Sequence, residues 1–161
     1  MAAASLVLLI VTSLLLLFDG SKSIDYQAVY NQFYSPVPYN STTRTAGAEE
    51  ENLIDAAYGL YHDKRYSEAL ELFNMIPEPV PNPAQYLYKG ITVMELERYQ
   101  EAISLFSQLE SNPVFKHYGM WYTGLCYLAL EDEQNARSTF KTIIEQEGYF
   151  MKEAKAVLKK I

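Results

Sequence analysis

The chain has 161 residues, a formal net charge of −7 at pH 7 and a single cysteine. This length allows one ordinary domain with an appendage. The acidic balance argues against a nucleic-acid partner, because binding to the phosphate backbone requires clustered Lys and Arg. One cysteine excludes an intramolecular disulfide, and Cys126 lies in an apolar run that is typical of a small core residue.

The N-terminal stretch, residues 2–18, is uncharged and contains only three polar residues, all of them Ser or Thr. As a helix it would be about 25 Å long, near the lower limit for a membrane span. Two interpretations stay open for residues 1–23: a retained single-pass transmembrane anchor, or a secretory signal. In the second case the small residues Ser21 and Ser23 offer a cleavage point before Ile24. The anchor is favoured because no Lys or Arg precedes the apolar run.

Residues 24–48 form a linker rich in tyrosine and proline. Four aromatic residues lie at helical spacing in its first half: Tyr26, Tyr30, Phe33 and Tyr34. Pro36 and Pro38 then stop any helix, so one or two helical turns should precede an extended stretch. The aromatic residues suit a membrane interface, but they suit docking onto the folded domain equally well, and both alternatives stay open.

From residue 49 onward the chain repeats with a period of 33 to 34 residues. Three columns stay in register: Ala57, Gly90 and Gly124; Ala69, Ala102 and Ala136; Phe73, Phe106 and Phe140. We assign these nine residues to repeat packing, because the small residues let two helices approach closely and the Phe fills the space between neighbouring units.

Each repeat contains two apolar periodic stretches separated by a polar turn, which indicates a helix-turn-helix unit. The pattern predicts an all-α domain over residues 49–161. Its expected parts are three units at about residues 50–82, 83–116 and 117–148, followed by a capping helix at 149–161.

The second helices of the first two units carry the run Tyr-x-x-Ala-x-x-x-Phe, as YSEALELF at 66–73 and YQEAISLF at 99–106. Together with the small residue of the first helix, this run resembles the tetratricopeptide repeat (TPR) family over about residues 50–146. The third unit departs from the pattern, since residues 132–135 read DEQN where the Tyr would stand. The resemblance implies a TPR-like α-solenoid.

The order of apolar span, Tyr/Pro linker and repeats also looks like bacterial single-span membrane proteins with a periplasmic C-terminal TPR domain. That resemblance implies a domain on the periplasmic or extracytoplasmic side of a cell-envelope membrane, or a secreted protein if the N-terminal segment is cleaved.

Family geometry implies that the first helices line a concave groove for a peptide or helix. The groove residues implied in this way are apolar and aromatic: Ile54, Tyr58, Tyr61, Leu87, Ile91, Met94, Trp121, Leu125 and Leu128. The alternative that several of them are core residues stays open. The expected function is a membrane-tethered interaction module, acting as an adaptor, scaffold or assembly factor, with a structural self-associating protein as the alternative.

Catalysis is not expected, because the sequence offers no combination of nucleophile and base and no metal-ligand spacing. His62 and His117 are nearly two repeats apart. We therefore expect no enzyme activity, no cofactor and no metal, and a protein or peptide as partner. The nearest candidate for the groove is the chain's own linker, which carries matching aromatic residues.

Overall fold

The computed structural model describes residues 23–39, 49–78 and 82–161. Within these three ranges the regular structure consists of eight α-helices and contains no strand, which confirms the all-α class. The helices are α1 Tyr26–Phe33, α2 Glu49–His62, α3 Tyr66–Met75, α4 Ala84–Glu95, α5 Tyr99–Ser107, α6 Lys116–Ala129, α7 Glu133–Glu145 and α8 Met151–Leu158.

Helix α1 has clear local signals at both ends. The side chain of Asp25 caps its N-terminus by accepting a hydrogen bond of 2.8 Å from the backbone N–H of Ala28. The helix ends at Tyr34, whose backbone is extended, and Pro36 and Pro38 prevent it from resuming. The helical spacing of the linker aromatics and the stop at the prolines are confirmed.

Consecutive helices from α2 to α8 pack against one another, and α4 also contacts both α2 and α6. The helices α2, α4 and α6 therefore follow one another along one side of the array. Helix α1 lies against α6 and α8. Helix α8 falls inside the predicted capping region, and Phe150 just before it stacks on Trp121 of α6 with ring centroids 4.9 Å apart.

The same turn follows α2, α4 and α6. It places one residue in the left-handed region each time: Lys64, Glu97 and Glu131, with φ of 59°, 58° and 56°. In the second turn the N–H of Glu97 donates to the carbonyl of Met94 (2.9 Å), and that of Arg98 to the carbonyl of Val93 (3.0 Å). This pair of bonds satisfies the last carbonyls of a helix. The turn recurs at the same spacing as the sequence columns.

In the second and third units, the small residue of the first helix packs against the Phe of the second helix. A Cβ atom on Gly90 of α4 would lie 2.4 Å from Cε1 of Phe106 in α5, and one on Gly124 of α6 would lie 2.7 Å from Cε1 of Phe140 in α7. Phe106 also stacks on Tyr122 of α6, at 5.7 Å between centroids. The Phe therefore packs on the glycine of its own unit and, in the case of Phe106, on the next unit as well.

The predicted anchor at residues 2–18 lies outside the described residues, so it stays a prediction. Among the helices that the structure does describe, none has both the length and the apolar character needed to cross a bilayer.

Candidate polypeptide-binding groove

Residues 23–39, here called the N-terminal segment, lie along the side of the array formed by α2, α4 and α6. Five residues of these helices contact the segment and define what we call the groove: Tyr58, Tyr61, Tyr88, Glu95 and Tyr122. The segment enters as helix α1 and continues as the extended stretch 34–39.

Three tyrosine hydroxyls of the groove donate hydrogen bonds to main-chain carbonyls of the extended stretch. The bonds run from Tyr122 to Ser35 (2.6 Å), from Tyr61 to Val37 (2.7 Å) and from Tyr88 to Pro38 (3.4 Å). Every residue offers a main-chain carbonyl, so these contacts hold an extended backbone whatever its side chains. The three donors come from three different helices, α2, α4 and α6.

Stacked aromatic rings hold the end of the extended stretch. Tyr39 stacks on Tyr58 with centroids 4.6 Å apart and an interplanar angle of 25°, and it meets Tyr88 edge-on at 5.8 Å. Tyr58 in turn meets Phe73 edge-on at 5.7 Å. Such aromatic pairs contribute stability beyond that of the apolar area that they bury. Here they connect the segment, through Tyr58, to the repeat-packing residue Phe73 of the first unit.

Two carboxylates accept hydrogen bonds from tyrosine hydroxyls of the segment. Tyr34 donates to Oε1 of Glu95, the last residue of α4, at 2.5 Å. Tyr26 donates to Oε2 of Glu133, the first residue of α7, whose Oε1 accepts from Nε of Arg137 at 2.6 Å. The segment is therefore held through two side-chain hydroxyls as well as through its main chain.

These contacts shift the pKa values of the groups that they join. The hydrogen bond from Tyr26 lowers the pKa of the Glu133 carboxyl and raises the pKa of Tyr26 itself. Burial, followed by the hydrogen bond to Glu95, raises the pKa of Tyr34 far above the ordinary value of 10.0. The neutral phenol is thus the form of Tyr34 that fits the groove.

Helix α1 adds a buried aromatic contact. Tyr30 is 7% exposed, stacks on Tyr34 at 5.0 Å and meets Tyr99 of α5 edge-on at 6.0 Å. Burial is the main cause that raises the pKa of Tyr30. The residues predicted as docking aromatics thus lie against the helical array in the structure, with Phe33 half-buried on the core.

Of the nine residues implied for the groove, Tyr58 and Tyr61 contact the segment. Five others are at most 2% exposed and belong to the hydrophobic core: Leu87, Ile91, Met94, Leu125 and Leu128. Trp121 is 3% exposed and packs between Phe140 and Phe150, while Ile54 is half-buried on the core.

Sequence reasoning missed Tyr88, Glu95 and Tyr122. A signal for two of them was present, because Tyr88 and Tyr122 each stand two residues before the glycine of their unit, in YKG and YTG. They lie one position after Leu87 and Trp121. Glu95 carried no signal, since a single carboxylate near a helix end resembles any solvated surface position.

The groove consists of four tyrosines and one glutamate, and the chain's single cysteine lies in the core. Cys126 is completely buried, and burial raises the pKa of its thiol, so it is not a reactive thiolate. In the part of the chain that the structure describes, no cluster of three or more His, Cys, Asp or Glu side chains could hold a metal ion.

No protein-family model matches the chain, and no curated protein matches it significantly. Function is therefore inferred from the geometry of the groove.

Proposed function

We propose that residues 49–161 form a TPR-like interaction module that binds an extended polypeptide in the groove. The observation that carries the proposal is the pairing of three groove tyrosines with main-chain carbonyls of residues 35–38. Main-chain pairing of this kind gives affinity for a polypeptide, while neighbouring side-chain contacts give specificity.

The repeat geometry supports the TPR-like part of the proposal. The left-handed turns at Lys64, Glu97 and Glu131 follow the period of the sequence, and the contacts of Gly90 and Gly124 with Phe rings recur at the same period. Units that repeat their internal contacts stack into a solenoid, in which successive first helices form one continuous surface. Helix α8 would close the last unit.

The N-terminal segment acts in this proposal as a resident occupant of the groove. It shows which polypeptide chemistry the groove accepts, and it competes with any external partner. Only nine residues separate the segment from α2, and so short a tether gives an effective concentration in the millimolar range. An external partner must therefore bind tightly enough to displace the segment, or bind a chain whose segment has already left the groove.

The experiment compares the natural chain with an opened chain that carries Tyr30→Ser, Phe33→Ser and Tyr34→Ser. A fluorescein-labelled peptide of residues 24–39 is titrated into each protein in detergent, and fluorescence anisotropy is measured. The peptide should bind the opened chain and bind the natural chain much more weakly. A matched control is Tyr149→Ser, since Tyr149 is 75% exposed. An opened chain that keeps its helical circular dichroism but binds no peptide would refute the proposal.

We further propose that residues 2–18 tether the module to a membrane, on the basis of their uncharged apolar composition. The full chain should then sediment with membranes and resist carbonate extraction. A mature protein that begins between residues 20 and 25 would instead establish a cleaved signal.

A further inference from the structure

We infer that the groove, together with Glu133 at the start of α7, selects its occupant through two tyrosine hydroxyls spaced eight residues apart, which donate hydrogen bonds to Glu133 and Glu95. The inference rests on the proposed function and specifies the partner. That partner is a polypeptide segment with the pattern Tyr-x7-Tyr across a short helix, followed by an extended stretch that contains proline. The chain's own Tyr26 and Tyr34 are the resident example of this pattern.

The spacing follows from the fold. Tyr26 and Tyr34 lie at the two ends of α1, and eight helical residues span about 12 Å. Glu95 ends α4 and Glu133 begins α7, so the two acceptors belong to different units of the array. With a tyrosine at each end, this helix places one hydroxyl on each carboxylate.

The chemistry favours a free phenol over the closest alternatives. A Phe at position 34 would keep the ring contacts but leave the carboxylate of Glu95 without this donor, and sites built around a hydroxyl discriminate strongly against its loss. A phosphorylated or acidic side chain would place negative charge against a carboxylate. Each carboxylate has a second partner, since Glu133 also bonds Arg137 and Glu95 also bonds Tyr66. Burial is the largest cause that raises the pKa of Tyr34 but not that of Tyr26, so the bond between Tyr34 and Glu95 lies in the less solvated site and Glu95 should be the stronger selector.

The tether allows the segment of the same chain to fill the groove. Tyr39 stacks on Tyr58, which lies nine residues along α2 from Glu49, or about 14 Å. The chain between residues 39 and 49 can reach about 35 Å when extended. Covalent geometry therefore permits docking within one molecule, and an external Tyr-x7-Tyr segment competes with it.

The test uses the opened chain and four labelled peptides of residues 24–39: the natural peptide, its Tyr34→Phe form, its Tyr26→Phe form and the double variant. We expect the Tyr34→Phe peptide to bind about tenfold more weakly than the natural peptide, and the Tyr26→Phe peptide to lose less. A peptide phosphorylated at the position of Tyr34 should bind more weakly still.

A variant of the protein distinguishes recognition of the Tyr34 hydroxyl from a general loss of binding. Glu95→Gln in the opened chain should weaken binding of the natural peptide and shrink the difference between the natural and Tyr34→Phe peptides, which is the coupling measured by a double-mutant cycle. The exposed Glu145→Gln serves as the matched control and should leave both affinities unchanged.

Equal affinities for the natural and Tyr34→Phe peptides would overturn the inference while leaving the proposed binding function intact. If no peptide binds the folded opened chain, the proposed function fails as well. If the natural chain is a dimer and the opened chain a monomer, the resident occupant is the segment of a second copy, which overturns the tethered competition.

Discussion

Replacing Gly90 with Ala should lower stability, because the helix pair leaves no room for a methyl group. The new Cβ would lie 2.4, 2.8 and 2.9 Å from three ring atoms of Phe106, well inside the normal carbon–carbon contact of about 3.5 Å. Phe106 is 1% exposed and stacks on Tyr122, so its ring cannot move without disturbing the next helix.

Overpacking of a core typically costs about 1–3 kcal/mol, and the higher helix propensity of Ala returns about 1 kcal/mol of this. The 2.4 Å approach to a buried ring places Gly90→Ala at the upper end of this range. We therefore expect a net loss of about 2 kcal/mol, or several degrees in the melting temperature measured by circular dichroism.

The matched control is Gly59→Ala in α2, where a Cβ would meet no atom within 4 Å. There only the helix propensity changes, so stability should rise by about 1 kcal/mol. The packing argument is refuted if Gly90→Ala and Gly59→Ala shift the melting temperature in the same direction by the same amount.

Three further predictions address the turns, the groove and its pH dependence. Glu97 has a φ of 58°, so Glu97→Gly should raise the free energy of unfolding in urea by about 0.5–1 kcal/mol. Glu97→Ala should give no gain, and a gain with both variants would show that backbone strain is not the cause. Tyr122→Phe removes the donor to the carbonyl of Ser35 and should weaken docking by about 1 kcal/mol, seen as faster amide exchange in α1, whereas Tyr149→Phe should leave that exchange unchanged. Burial raises the pKa of Tyr34 above 10.0, so the contribution of Tyr34 to stability is fully present below pH 10 and is lost as the pH rises further. Tyrosinate absorbance should therefore rise together with the loss of helicity. Full titration of all 14 tyrosines near pH 10 in a protein that is still helical would contradict this.

The all-α class was predictable because its causes are local. Apolar periodicity marks the helices, and Pro and polar turns mark their ends. The importance of Gly90 and Gly124 was visible as well, because a small residue recurs where two helices must approach. The short helix in the linker was also predictable, from the spacing of its aromatic residues and from the prolines that follow.

The face of each helix that meets the segment was harder to predict. Adjacent helical positions differ by about 100° in direction, so the step from Leu87 to Tyr88 turns from the core into the groove. Both residues are large and both suit an interior, and only the tertiary fold distinguishes them. The acceptor role of Glu95 depends on Tyr34, which is 61 positions away in sequence, and no local pattern contains that relation.

The backbone conformation of the turns after the first helices could not be predicted either. A left-handed residue at this position is usually Gly, but here Lys64, Glu97 and Glu131 occupy it. Sequence reasoning identified the turns from their polarity and not from their geometry. The hydrogen bonds of the turn and the packing of the flanking helices hold these residues in a conformation that they do not favour intrinsically.

Hydrogen–deuterium exchange of the natural full chain, with increasing amounts of unlabelled 24–39 peptide, tests the central claim most directly. An isolated helix of eight residues is marginal in water, so protection of the amides of α1 reports its docking. We predict that α1 is protected without peptide and exchanges faster as the peptide displaces it, while α4 and α6 stay protected. Rapid exchange of α1 in the chain without peptide, or protection that does not change at millimolar peptide, would contradict the claim that the groove is a polypeptide-binding site with a resident, displaceable occupant.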